Sequence, residues 1–502
     1  MPRRTALAAA LLLLAGALTA TVGAGQALAG PPQGGDGHKA PKLHYVVQDP
    51  AYFWATAVDP ATGLSTNCFQ RREAFTPTTY PKAGGGTATS TVLYGQQGGA
   101  SYHVEYPASG WNGELVLWAH GYAGTKKYLC AGRPNIDRAW YLSHGYAWAA
   151  SSYASNTYDV PQGVKDTHDL IGLFTGKVAK PAKVWLTGES MGGHITARAI
   201  EQYPHAFDGA MPTCGVLADD DLFDYFLDVN VVAAGLAGAR APFPTTDAAY
   251  TSFVKSTVMP VVGAPMPGYT VGPQYRPWSN AVVNESGGNR PGALPAVSFW
   301  SSFGFGDPPL NSIPFLYGVY PGTTAGRIGV ANGNVTDNTH AVYRTTLDTS
   351  APLTPAEVAL NRQVTRVAAD PGTRNRGLQG VPVVQGDPRV PVLTLHGLGD
   401  LFVPFQMEEE YAARVAAHGK SGLLVQRAVR NVNHCGFSQT ELTHGFTDLV
   451  AWAKGGAKPA GDLVTDPAVR AKPSYGCRFT QSDGTLDATN HFTRSAVFFP
   501  PC

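Results

Sequence analysis

Val184-Trp185-Leu186-Thr187 runs into Gly188-Glu189-Ser190-Met191-Gly192, and few backbones accept that succession. A buried strand passing into a helix through Gly-x-Ser-x-Gly brings the two backbones so close that only small residues fit beside the serine. The turn lifts the serine hydroxyl above the sheet, within reach of a carbonyl carbon. Ser190 is therefore the candidate nucleophile.

The surrounding pattern alternates. Strand-like segments at 91–94, 101–106 and 114–119 precede a helix at 135–142, a buried strand at 146–151 and a helix at 161–174. The strand before the elbow, the helix 191–203 and a strand near 209–212 complete this half. The rhythm returns with strands at 390–395 and 423–429 around a helix at 403–417. A last helix opens at Ser438, with Glu441 at capping-box spacing. Alternation with short connections predicts a mostly parallel sheet covered on both faces.

Residues 217–387 interrupt this rhythm. They are rich in Gly, Pro and aromatics, including Tyr269, Trp278, Phe299, Trp300, Phe303, Phe305, Phe315 and Tyr317, with a helix opened by Thr354-Pro355-Ala356-Glu357. A stretch this long is too large for a loop and reads as an inserted cap or lid domain. Most of its aromatics are expected to form the cap's own core and a minority to line an entrance. The division is then a leader at 1–29, an N-terminal extension with first strands at 30–87, and sheet segments at 88–216 and 388–456 flanking the cap. A tail follows at 457–502. Residues 30–42 read as a flexible stretch.

The leader has Arg3 and Arg4, an apolar stretch from Ala6 to Ala20, and Ala27-Leu28-Ala29 as a small-residue cleavage site. The apolar stretch is too short for a membrane span. The mature chain is expected to be secreted and soluble, by the general or the twin-arginine route. All six cysteines follow the leader. An even count in an exported chain favours disulfides. Cys477 with Cys502 is the natural pair, tying down an otherwise loose tail, and a Cys214–Cys435 bridge is the sharper hypothesis beside the proposed base. No C-x-x-C spacing points to zinc. The net charge of +1, with no basic run, argues against nucleic acid or an anionic membrane as a target.

A serine nucleophile needs a base, an orienting acid and oxyanion donors. Asp400 ends Leu395-His396-Gly397-Leu398-Gly399-Asp400, just past a buried strand, and His434 follows the next strand in Asn433-His434-Cys435-Gly436. The backbone N–H of Met191, at the start of the post-elbow helix, is one oxyanion donor. The N–H of Tyr122, after Ala119-His120-Gly121, is the second. Asp219, Asp220 and Asp221 are rivals for the acid, read instead as a solvated helix start. His444 is the rival base, placed mid-helix. His120 is read as shaping the oxyanion loop, His194 as a core-edge residue, and Glu189 as packing against the neighbouring loop.

With the elbow, the His120-Gly121-Tyr122 loop, the His396…Asp400 segment and the His434 loop in order, the chain resembles the α/β-hydrolase superfamily over residues 88–216 and 388–455. The resemblance implies a Ser190-His434-Asp400 hydrolase of carboxylic esters, acting through an acyl-enzyme without metal or cofactor. An amidase or peptidase of the same fold, and a non-catalytic binding protein on this scaffold, are the alternatives. It implies a small-molecule or oligomeric ester or amide substrate, and leaves the oligomeric state open.

Overall fold

The computed structural model describes residues 75–124, 128–304, 306–323 and 333–502, with backbone strands also at Val46–Val47, Tyr52–Val58 and Ser65–Ala74. The leader at 1–29, the stretch 30–42 and Phe305 lie outside the described residues.

Eight strands build the central sheet: β1 (Thr91–Gln97), β2 (Ala100–Tyr106), β3 (Glu114–Ala119), β4 (Ala147–Ser151), β5 (Lys183–Glu189), β6 (Gly209–Thr213), β7 (Val392–Gly397) and β8 (Leu424–Val429). Their spatial order is β8-β7-β6-β5-β3-β4-β2-β1. Only β2 runs against its neighbours β1 and β4; the other pairings are parallel. This is the α/β-hydrolase architecture expected from the sequence.

Strand periodicity explains why both faces are covered. On β3, Leu115, Leu117 and Ala119 join one apolar cluster, and Val116 and Trp118 join the other. The first face packs against helices α2 (Val160–Lys177) and α3 (Met191–Gln202). The second packs against α1 (Arg138–Ser143) and α8 (Gln439–Ala453), through Tyr141, Leu442, Phe446 and Leu449. Each such buried side chain contributes roughly 2 kcal/mol by leaving water. The capping box at Ser438 and Glu441 forms as expected, and so does the one at Thr354 and Glu357.

Between β6 and β7 the chain leaves the sheet and forms, among others, α4 (Asp221–Leu236), α5 (Tyr275–Glu285) and α6 (Ala293–Trp300). Trp278, Trp300, Phe315 and Tyr317 are buried in the same apolar cluster as the first sheet face. Helix α7 (Gln406–Ala417) follows β7 and joins that cluster through Met407, Tyr411 and Val415.

Two expectations need correction. Asp219 and Asp220 are not solvated: they are 1% and 5% exposed. Asp219 pairs with Arg414 at 2.5 Å and Asp220 with Arg374 at 2.6 Å, which makes their burial tolerable. The tail is tied by Cys477–Cys502, but it is not otherwise loose. The guanidinium of Arg430 donates to the carbonyls of Pro473, Tyr475 and Pro500. Arg494 of the tail forms a two-pronged pair with Glu441 at 2.7 Å. Among the described residues, no helix is long and apolar enough to cross a membrane.

Candidate active site

Ser190 sits between β5 and α3 with φ 58° and ψ −124°. An L-residue there carries strain on the order of 1–3 kcal/mol, which persists because close packing fixes the turn. A Cβ on Gly188 would strike the carbonyl of Gly192, one on Gly192 the carbonyl of Ala119, and one on Gly193 the Cα of Gly215. The elbow thus presses on both neighbouring loops. Ser190 occupies the helix N-cap position, yet its side chain makes no capping hydrogen bond, so the hydroxyl is not spent on the helix. The N–H of Met191, at the first helical position, has no intrahelical acceptor.

The loop after β3 lies against the elbow. A Cβ on Gly121 would come 3.1 Å from Ser190 Cβ and 3.6 Å from Ser190 Oγ. His120 shapes this loop, as read from the sequence. Its Nδ1 bonds the Gly121 carbonyl at 2.7 Å, and its ring stacks on Tyr153 at 4.0 Å. Burial depresses its proton affinity despite hydrogen bonds to backbone carbonyls. Tyr153, which the sequence reading passed over, donates its hydroxyl to the His120 carbonyl at 3.1 Å. The phenol of Tyr122 is pushed up to about 12 by burial, with Asp307 of the insertion adding its negative charge.

Asp400 is fully buried. Its Oδ1 accepts from the N–H groups of Phe402 and Val403, each at 3.0 Å, and its Oδ2 meets His434 Nδ1 at 2.6 Å. His434 Nε2 is buried and makes no hydrogen bond. Asp400 and His434 are therefore joined, whereas Ser190 and His434 are not linked by a hydrogen bond. Two connections bring the His434 loop to the elbow. Ser190 N–H donates to the Thr213 carbonyl at 3.1 Å, and the next residue, Cys214, is disulfide-bonded to Cys435 with a Cα–Cα distance of 5.3 Å. Both cysteines adopt positive φ, 43° and 54°. Their sulfur atoms lie within 4.8 Å of a His434 ring nitrogen, but as a disulfide they are not thiolate donors for a metal. Cys130 is also disulfide-bonded.

Further contacts fix the same loop. The Asn433 side chain accepts the His434 N–H at 3.1 Å, and that of Asn431 accepts the Asn433 N–H at 2.7 Å. Trp300, from the insertion, donates its indole N–H to the carbonyls of Val432 (2.8 Å) and Gly399 (3.1 Å), clasping the His434 and Asp400 turns together. Phe402 packs edge-on against the His434 ring at 5.2 Å and touches Phe315 at 5.1 Å. The sequence offered Trp300 and Phe315 only as members of an aromatic-rich stretch, and gave no cue to Phe402.

The remaining candidates separate cleanly. Both nitrogens of His194 are engaged, by the Tyr158 hydroxyl at 3.0 Å and the Pro382 carbonyl at 2.7 Å, and burial pushes its pKa down to about 4. His444 is exposed on α8. Glu189 is pushed up to about 7 by burial, against the opposing pull of His434.

No protein-family model matches the chain. The o-phthalyl amidase of Xanthobacter agilis is 27% identical over 103 residues, which is 20% of this chain and 23% of that protein. The match thus spans under a quarter of that relative's length. Feruloyl esterase B from Aspergillus oryzae aligns over 77% of this chain and 87% of its own at 14% identity, with a TM-score of 0.42. The tannin acyl hydrolase from Aspergillus niger aligns over 77% and 83% at 12% identity, with a TM-score of 0.38.

Proposed function

We propose that this chain is an exported serine hydrolase of carboxylic esters, with Ser190 as nucleophile, His434 as base and Asp400 as orienting acid. The observation that carries the reading is the 2.6 Å contact between Asp400 and His434 Nδ1, with Nε2 left without a partner. A carboxylate on Nδ1 fixes the tautomer whose bare Nε2 accepts a proton. A nearby hydroxyl on a strained elbow is the group that supplies it.

In this reading Nε2 takes the Ser190 proton as Oγ attacks the ester carbonyl. The N–H groups of Met191 and Tyr122 hold the developing oxyanion, each worth about 3 kcal/mol of barrier. The alkoxide leaves with the proton from His434, and water activated by the same nitrogen then releases the acid. The serine–base hydrogen bond forms as substrate closes the site, as it does in many enzymes whose free form is looser. The insertion acts as a cap, with Trp300 and Phe315 roofing the site around Phe402. The disulfides Cys214–Cys435 and Cys477–Cys502 fit an oxidising compartment.

An amidase is the second reading, favoured by the short similarity to an amidase. Esters come first because an alkoxide leaves without the full protonation an amine requires. Ser190→Ala is expected to abolish turnover of p-nitrophenyl esters and labelling by a fluorophosphonate while leaving the melting temperature in place. Substantial residual turnover in that variant would refute the assignment. Cleavage of anilides without ester preference would move the chain to the second reading.

A further inference from the structure

Beneath the acid turn lies a second histidine–carboxylate pair that the proposed reaction does not use. His396, on β7, is fully buried. Its Nε2 is 2.9 Å from the Val403 carbonyl oxygen, and its Nδ1 is 3.2 Å from Glu408 Oε1. A carbonyl oxygen only accepts, so Nε2 carries a proton. Glu408 Oε2 receives the Thr394 hydroxyl at 2.5 Å and the Gln426 amide at 2.6 Å, so its surroundings treat it as an anion. An anionic oxygen facing Nδ1 calls for a second ring proton. Burial alone would strip His396 of its charge. The Glu408 hydrogen bond and charge, with Asp400 adding to them, instead hold its proton affinity above the ordinary histidine value.

The pair is wired to the acid. Val403, whose carbonyl takes the His396 proton, gives its own N–H to Asp400 Oδ1, whose carboxylate holds His434 through Oδ2. We propose that His396 and Glu408 form a fixed imidazolium–carboxylate pair that positions the 400–403 turn and, through it, holds Asp400 in place for His434. Both are positioning residues, and the proposal rests on the triad reading above. The charged groups facing His396 are Glu408 from α7 and Asp400 from the turn. Phe405 closes another side edge-on at 5.9 Å, with the Arg290 guanidinium beyond it, 5.6 Å from that ring. Tyr411 and Tyr475 face Glu408 and are kept neutral by burial.

The His396 cation offsets part of the Asp400 field at His434. Removing it leaves the Asp400 charge to hold the His434 proton to higher pH, so the acidic limb of the kcat/KM profile moves up. His396→Gln separates charge from shape, because its amide still donates to the Val403 carbonyl. The expected result is an upward move of that limb by roughly half a pH unit or more, with labelling of Ser190 retained. The second measurement needs no activity. In 15N-histidine-labelled protein, the imidazole missing from His396→Gln is expected to carry both ring protons at neutral pH, and in Glu408→Gln to lose one. An unmoved acidic limb in a folded His396→Gln protein, or a singly protonated His396 in the parent at neutral pH, overturns the inference. If Ser190→Ala stays active, the triad reading itself falls. If Ser190→Ala is dead and the limb stays put, only the positioning pair falls.

Discussion

Two turns at the same sheet edge each bury an aspartate, and they use it in opposite ways. After β6, Asp219 is 1% exposed, with φ 45°. Its Oδ2 meets Arg414 at 2.5 Å and the Val384 N–H at 2.7 Å, and its Oδ1 takes the Asp220 N–H at 2.8 Å. Asp220 and Asp224 both bind Arg374, at 2.6 and 2.5 Å. After β7, Asp400 is equally buried and equally served by backbone N–H groups, but its remaining oxygen meets an imidazole. A guanidinium never gives up its proton in the working range, so the first turn is a permanent clamp. It joins the start of the insertion to Arg374 near its end and to α7. An imidazole gains and loses its proton near neutrality, so the second turn can take part in proton transfer. The counter-ion, not burial, separates the proposed acid from the clamp.

Exchanging the two carboxylates for amides tests that separation, and the largest effect belongs to the β7 turn. Asp400→Asn keeps the shape but offers His434 Nδ1 a donor, which favours the wrong tautomer. Turnover of p-nitrophenyl esters is expected to fall by about 10⁴-fold, the scale of the same change in a serine protease triad. Asp219→Asn takes the close, buried anion from Arg414, whose side chain is 24% exposed, and leaves it the longer Asp221 contact at 3.3 Å. It is expected to cost about 2–3 kcal/mol in denaturant unfolding, below the full buried-pair penalty because Arg414 reaches solvent, while the protein that remains folded keeps its kcat. A large loss of kcat in stable Asp219→Asn protein, with Asp400→Asn active but unstable, would reverse the two roles.

The same contrast marks how far the sequence alone reaches. The elbow was legible because its glycine requirement is local: each backbone collision is set within the strand–turn–helix unit or against the next loop. The Cys214–Cys435 bridge stood in the sequence as one hypothesis among several connectivities, suggested because an even cysteine count favoured disulfides and one of the two sits beside the proposed base. Helix starts were read too early where a side chain takes the first amides. Asp137 caps α1 and holds its start to Arg138. Asp400 takes the N–H groups of Phe402 and Val403 in the turn before α7, which begins at Gln406 rather than Val403. The burial of Asp219 was illegible because its partner, Arg414, lies 195 residues away and a run of aspartates ordinarily reads as solvated. Trp300 was seen as an aromatic, but its grip on two distant carbonyls is a property of the folded chain.

The smallest effect lies at the rim of the clamp, where Asp221 meets Arg414 at the longer distance of 3.3 Å. Burial pushes its carboxyl up to about 7, against the pull of Arg414 and with Asp219 adding to the rise. A folded pKa above the unfolded value means the native state binds the extra proton. The stability this brings is complete below about pH 4 and is lost as pH rises through about 7. Asp221→Asn has no proton to lose. Relative to the parent it is expected to gain about 1 kcal/mol between pH 5 and pH 8, a figure kept small because the side chain is 27% exposed and its charge is partly screened. Urea unfolding at both pH values measures it. A relative loss at pH 8 would mean that the Arg414 pair outweighs desolvation, and that Asp221 belongs to the permanent clamp rather than to its titrating edge.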